Sequence, residues 1–244
     1  MRYAIISDIH GNTEALTSVL DDIERNGGAD GLWCLGDVTG YGAEPGACIA
    51  MLRDRVSVCV AGNHDRGSIE KLDLPVFNDL AQQALRWMSK HLLPDEKAWL
   101  ATLPTGAEDG DYVLLHASPS DPLLEYVLST GIAERNFSFF RAKYCFFGHT
   151  HIPIVYKLEG GSLCTATPLT PAIGLTLGET RMMINPGSVG QPRDGDPRAS
   201  YGILDTEASM FRLHRVAYDI EATQSKIMKA GLPVQLATRL EQGR

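Results

Sequence analysis

Five short apolar runs in the first 151 residues are each followed within three residues by an Asp, Asn or His, and this punctuation constrains the fold more than any other feature. The runs are residues 2–6, Leu32–Leu35, Val56–Val60, Tyr112–Leu115 and Tyr144–Phe147, and they read as short buried strands. The junctions behind them are Ser7-Asp8-Ile9-His10, Gly36-Asp37, Gly62-Asn63-His64-Asp65, His116 and Gly148-His149-Thr150-His151. Ligands of α/β sheets bind beyond the carboxyl ends of the strands, so five such ends can converge on one place. Strand side chains alternate in direction, which predicts that Asp8 and His10 point the same way, as do His149 and His151.

Helical patterns fill the gaps. Leu16, Val19, Leu20 and Ile23 recur at helical spacing before the stop at Gly27-Gly28, and Pro45 opens a helix through Leu52. Further helices are predicted over 75–91, 94–102 and about 121–140. From Ile152 the rhythm changes to strands at Ile154–Leu158, Met182–Ile184, Tyr201–Asp205 and Met210–Tyr218, with helix again from Ile220. This order predicts one layered α/β domain over 1–244 with a second, more antiparallel sheet.

A chain of 244 residues that is 44% hydrophobic and 21% charged excludes disorder and coiled coil, and it buries a core without help from metal or disulfide. Any metal here must therefore serve chemistry. The five cysteines are odd in number and form no C-x-x-C pair; Cys34, Cys59 and Cys145 lie in apolar runs, as reduced thiols do in the cytoplasm. The N-terminus reaches Asp8 too soon for a secretory signal, and no apolar run approaches the ~18 residues that span a bilayer. A cytoplasmic protein without a membrane partner is expected. With 22 basic against 30 acidic residues the net charge is −8, which repels long nucleic acid.

Three carboxylate or amide groups and four imidazoles, with no thiolate, suit borderline divalent ions such as Mn²⁺, Fe²⁺, Zn²⁺, Co²⁺ or Ni²⁺. Seven groups are too many for one ion with open positions. They are about right for two ions sharing a carboxylate, roughly 3.5–4 Å apart.

In this order the motifs resemble those of the calcineurin-like metallophosphoesterase superfamily. The segment from Ile184 to Arg193, Ile-Asn-Pro-Gly-Ser-Val-Gly-Gln-Pro-Arg, extends the likeness to its small bacterial phosphodiesterase, diadenosine-tetraphosphatase-like branch. The resemblance implies an α/β/β/α sandwich of two mixed β-sheets flanked by helices, and two divalent ions, Mn²⁺ foremost, with Fe, Zn, Co, Ni or Mg as alternatives. It implies that Asp8, His10, Asp37 and His151 hold one ion and that Asp37, Asn63, His116 and His149 hold the other, with Asp37 bridging. A metal-bridging hydroxide would attack phosphorus, His64 would protonate the leaving oxygen, and Asp65 would orient the His64 ring or else simply cap a helix or form a salt bridge.

Outside this set, Arg193 in a polar loop is a candidate phosphate contact, with an ion pair to Asp194 or Asp196 as the alternative. Asn12 is a candidate N-cap or substrate contact, and Tyr41 a candidate pocket wall or loop-packing residue. His91, at a helix end, and His214, on the outer face of a strand, are expected to be structural. The implied activity is hydrolysis of a phosphodiester or nucleotide-type substrate, a small phosphate ester. A phosphomonoesterase or protein phosphatase on the same site, or a non-catalytic interaction scaffold of the same fold, are the rivals. Homo-oligomers are compatible with the sequence.

Overall fold

The computed structural model describes residues 1–244 as two six-stranded sheets packed face to face, with helices on both outer surfaces. The first sheet starts from β1 (Arg2–Ile6), β2 (Gly31–Cys34) and β3 (Val58–Cys59), which run parallel. Three antiparallel strands continue it, β11 (Ala199–Asp205), β12 (Met210–Val216) and β9 (Leu175–Thr176), in the order β3-β2-β1-β11-β12-β9. The second sheet runs β4-β5-β6-β10-β7-β8, from β4 (Gly106–Asp109), β5 (Tyr112–Leu115) and β6 (Tyr144–Phe146) to β10 (Arg181–Asn185), β7 (Ile154–Glu159) and β8 (Leu163–Pro168).

The change of rhythm at Ile152 therefore does not mark a boundary between sheets. Strands from before and after Ile152 enter both sheets, and each sheet mixes parallel with antiparallel pairs; β5, β6 and the later β10 are mutually parallel, while the early β4 runs antiparallel to β5. The reason lies in burial. Ile5, Trp33, Leu114, Phe146, Ile184, Leu204 and Phe211 meet between the sheets, while Ala4, Ile6, Leu32 and Cys34 face helices α1 (Thr13–Arg25) and α2 (Pro45–Arg53). Strands covered on both faces read as unbroken apolar runs whatever their partners' direction.

Helices α4 (Asp79–His91) and α5 (Pro94–Thr102) complete the outer layer of the first sheet. The long helix expected over 121–140 shrinks to α6 (Thr130–Asn136). Ahead of it, Asp121 Oδ1 accepts from the amides of Leu123 and Leu124, and Ser118 Oγ accepts from the amide of Asp121. Such side-chain bonds to nearby backbone compete with helix. A short helix unforeseen in the sequence, α3 (Asn63–Ser68), begins on the third junction itself. The C-terminal helices α7 (Ile220–Lys229) and α8 (Val234–Thr238) pack Ile227, Leu232, Leu236 and Leu240 against Tyr41, Phe77 and the Ala81/Leu85 face of α4. All five cysteines are buried free thiols, and no helix is long and apolar enough to cross a membrane.

Candidate metal centre

The ligand candidates lie past the strand ends rather than on them: β1 stops at Ile6 and β6 at Phe146. Strand alternation is thus not what aims them. Asp8, His10, Asp37, His149 and His151 all adopt left-handed backbone, with φ between 51° and 65°. Only two other non-glycine residues of the chain have positive φ. This conformation is disfavoured for L-residues, and surrounding structure must hold it. Asp8 N donates to Gly36 O at 3.0 Å and His10 N to Asp37 O at 2.9 Å, so the β1 and β2 loops fix one another. From the 185–191 segment, Ser188 Oγ donates to Asp8 O at 2.8 Å, while Asn185 Nδ2 donates to Gly148 O at 2.7 Å. Two glycines permit the close approach. A Cβ on Gly62 would fall 1.9 Å from Asp37 Oδ1, and one on Gly148 1.9 Å from Ser7 Oγ.

The buried donors fall into two groups, Asp8/His10/His151 and Asp37/His116/His149, each with its donor atoms within 4.8 Å of one another. Asp37 Oδ2 lies 3.6 Å from His10 Nε2 and 3.3 Å from His116 Nε2, between the groups. Its other oxygen accepts from the His64 amide at 2.9 Å. Asn63 Oδ1 is 3.1 Å from His116 Nε2, which adds a neutral oxygen to the second group.

The donor set fits cations. His10, His116 and His151 each set Nδ1 against a backbone carbonyl, of Thr39 at 3.0 Å, Leu35 at 2.8 Å and Gln191 at 2.6 Å. With Nδ1–H donating there, each Nε2 presents a lone pair. Yet His10 and His151 Nε2 stand 3.1 Å apart, and His116 Nε2 faces only the oxygens of Asn63 and Asp37. Lone pairs facing one another call for positive charge between them. The titration of these groups shows the same demand. Burial opposes charge on His116, but Asp37 lifts it to about 10. Burial pushes Asp8 up to about 7 and His149 down to about 3, and it drives His10 and His151 well below the usual imidazole range. His149 sets Nε2 on Leu124 O at 3.3 Å, which leaves Nδ1 as the ring nitrogen free to hold a cation.

His64 sits beside the donor groups without belonging to either. Its ring packs among His10, Tyr41 and Phe77, and its buried Nδ1 has no partner. Burial holds its pKa down at about 4 against the pull of Asp37. Asp65 does not orient that ring, which corrects the catalytic role expected for it. Its Oδ1 accepts from the Thr39 amide and hydroxyl at 2.9 and 3.0 Å, and its Oδ2 from the Gly62 amide at 3.0 Å, which caps α3 and ties it to the β2 loop. Asn12 likewise belongs to the framework. It caps α1 through the Ala15 amide, donates to Gly190 O and accepts from Thr223.

Tyr41 forms a wall against His10 and His64, with ring centroids 4.7 and 4.6 Å away. Arg193 makes no pair with its neighbouring acids: Asp194 pairs with Arg215, and Asp196 with Arg198 at 2.6 Å. It turns inward instead, donating to Gln191 Oε1 at 3.0 Å and Tyr41 Oη at 3.4 Å. His91 stacks on Trp87, and His214 is half-buried, stacked on Tyr201 beside Asp22 rather than on an open face. Sequence reading missed Tyr126, whose ring lies 3.9 Å from that of His149, and the positioning roles of Asn185 and Ser188. The last two stand in the 184–193 motif; Tyr126 carried no signal because it was assigned to a helix.

A fold of two mixed sheets with two donor groups beyond the shared strand ends is that of the calcineurin-like phosphoesterases. The chain belongs to the calcineurin-like phosphoesterase superfamily, whose domain matches residues 1–209. An uncharacterized protein of Methanocaldococcus jannaschii is 38% identical over 99% of this chain and 98% of its own. The crystal structure of a metallophosphoesterase from Sphaerobacter thermophilus is 40% identical, covers 100% of this chain and 99% of that one, and superposes with a TM-score of 0.91. A hypothetical protein from Pyrococcus horikoshii OT3, 18% identical with 100% and 98% coverage, shares the fold at a TM-score of 0.79. The family implies divalent metals and a phosphoric-ester hydrolase, and the two donor groups are where such ions belong.

Proposed function

We propose that the protein hydrolyses small phosphodiester or nucleotide-type substrates with a pair of divalent ions, Mn²⁺ foremost. The observation that carries this reading is Asp37 Oδ2, set between His10 of one donor group and His116 of the other. Asp8, His10, Asp37 and His151 would hold one ion and Asp37, Asn63, His116 and His149 the second. When bound, the ions supply Lewis acidity toward the phosphoryl oxygens and an activated water. The chain's own residues do the rest. His64, with a free buried Nδ1 at the rim, holds a proton for the leaving oxygen, and the negative charge of the bound phosphate favours that proton. Arg193, without an acidic partner, turns its guanidinium toward a phosphoryl oxygen. Tyr41, Phe77 and Tyr126 line a cavity of about 140 Å³ beside Asn63, His64 and His149, which would take an apolar or aromatic part of the substrate. The cytoplasm, with its reduced thiols and short nucleotides, is the compartment proposed.

The test is reconstitution. Protein stripped by a chelator and refilled with Mn²⁺ should hydrolyse bis-p-nitrophenyl phosphate and bind two ions per chain by metal analysis. Absence of turnover with every divalent ion from Mg²⁺ to Zn²⁺ would overturn the catalytic reading in favour of a scaffold.

A further inference from the structure

A second guanidinium reaches the same wall from a part of the chain outside the family match. Arg239 follows α8, and its Cζ stands 5.5 Å from the Tyr41 ring centroid, where that of Arg193 stands 5.7 Å away. The backbone that carries it is fixed: Leu236, Ala237 and Leu240 are buried against the Tyr41 cluster, and Gln224 Nε2 donates to Ala237 O at 3.1 Å. Neither arginine has a side-chain carboxylate within ion-pairing distance. Arg239 donates from Nε to Arg244 O at 2.6 Å, and the buried Nε of Arg193 has no acceptor at all. Burial lowers the pKa of Arg239, and the neighbouring charge of Arg193 lowers it further. Two like charges converge beside a site for phosphate esters on a chain of net charge −8. Such convergence is unfavourable unless an anion joins it.

We infer that Arg239, together with Arg193, anchors a second anionic group of the substrate, so that the preferred substrates carry another phosphate or carboxylate next to the phosphate that is cleaved. Guanidinium forks match both groups in geometry. The inference rests on the phosphoesterase reading of the site and adds a specificity-determining residue to it. The Tyr41 ring neighbours both arginines and both the His10 and His64 rings, and so would set the spacing between the two anion positions.

Calorimetric binding to the metal-loaded protein tests it, with inorganic phosphate, pyrophosphate and phosphonoacetate as probes. Arg239→Ala should weaken pyrophosphate by about tenfold more than it weakens phosphate, the loss of one charge-assisted contact. Arg239→Lys should recover part of that difference. A matching loss of phosphonoacetate identifies charge as the requirement, and a loss confined to pyrophosphate identifies phosphate as the second group. Equal changes for phosphate and pyrophosphate, or none, in a variant with wild-type circular dichroism would overturn the assignment. Because the readout is binding, it stays distinct from the catalytic reading: the selective loss can occur in a protein that turns over nothing, and turnover can occur without it.

Discussion

The floor of the site and its wall are built by opposite means. The floor consists of candidate ligands, most of them on left-handed backbone past the ends of β1, β2 and β6, locked by backbone hydrogen bonds and by glycines that admit no Cβ. The wall consists of Tyr41, Tyr126, Arg193 and Arg239, drawn from four separate loops or helix ends and held by side-chain packing and a few polar bonds. The floor is specified by contiguous motifs because backbone geometry is local. The wall depends on which surfaces meet. Changes in the floor should therefore abolish chemistry on every substrate, whereas changes in the wall should alter selectivity or stability.

Asp37→Asn strikes the floor where the two donor groups join and should have the largest effect. Loss of the shared charge should disturb both ions and lower kcat/KM by about 10³-fold or more, since a bound metal contributes several kcal/mol to the transition state. A variant that still holds two ions by metal analysis would break the distinction at its centre. His64→Ala stands between floor and wall. It should keep both ions yet lose about 10²–10⁴-fold in kcat, most on esters with poor leaving groups. Equal losses on nitrophenyl and alkyl esters would remove His64 from proton transfer.

Glu125→Gln probes the wall and should have the smallest effect. Glu125 accepts from Ser118 and Ser120 at 2.6 Å and from Asn136 at 2.7 Å, and pairs with Arg135, which organises the loop that carries Leu124 and Tyr126. Burial opposes the charge, but these donors hold the carboxyl at about 2. Its folded pKa lies below the unfolded value of about 4.3, so its stabilisation is present above that value and is lost as pH falls through the folded pKa. The variant should lose about 1–3 kcal/mol near neutral pH, with KM raised more than kcat is lowered. The gap in Tm between wild type and variant should narrow as the pH falls from about 5 toward 2. A gap independent of pH would show that the charge of Glu125 does not organise the wall.

The boundary between what was legible in the sequence and what was not follows the same division. Asp8, His10, Asp37, Asn63, His116, His149 and His151 could be gathered into one site from their places behind apolar runs, and the structure brings them together. The reason offered for their common direction did not hold, because alternation ends with the strand and left-handed turns take over. Asp65 stands next to His64 in sequence but reaches Thr39 and Gly62, since at the start of α3 a carboxylate two residues into the helix finds backbone amides before it finds its neighbour's ring. Strands β4, β8 and β9 went unread because they are short or largely exposed and carry no sustained apolar pattern.

The sequence by itself determined the chemistry of the donors and their attachment to strand ends, because ligand type and turn geometry are local properties of a few adjacent residues. Only the tertiary structure decided how the strands divide between two sheets, that Asp37 lies between the donor groups, and that Arg239 meets the Tyr41 ring together with Arg193, 46 positions earlier in the chain. Those outcomes depend on the packing of apolar faces far apart in sequence, and the pattern along the chain shows that a face is buried without showing what buries it.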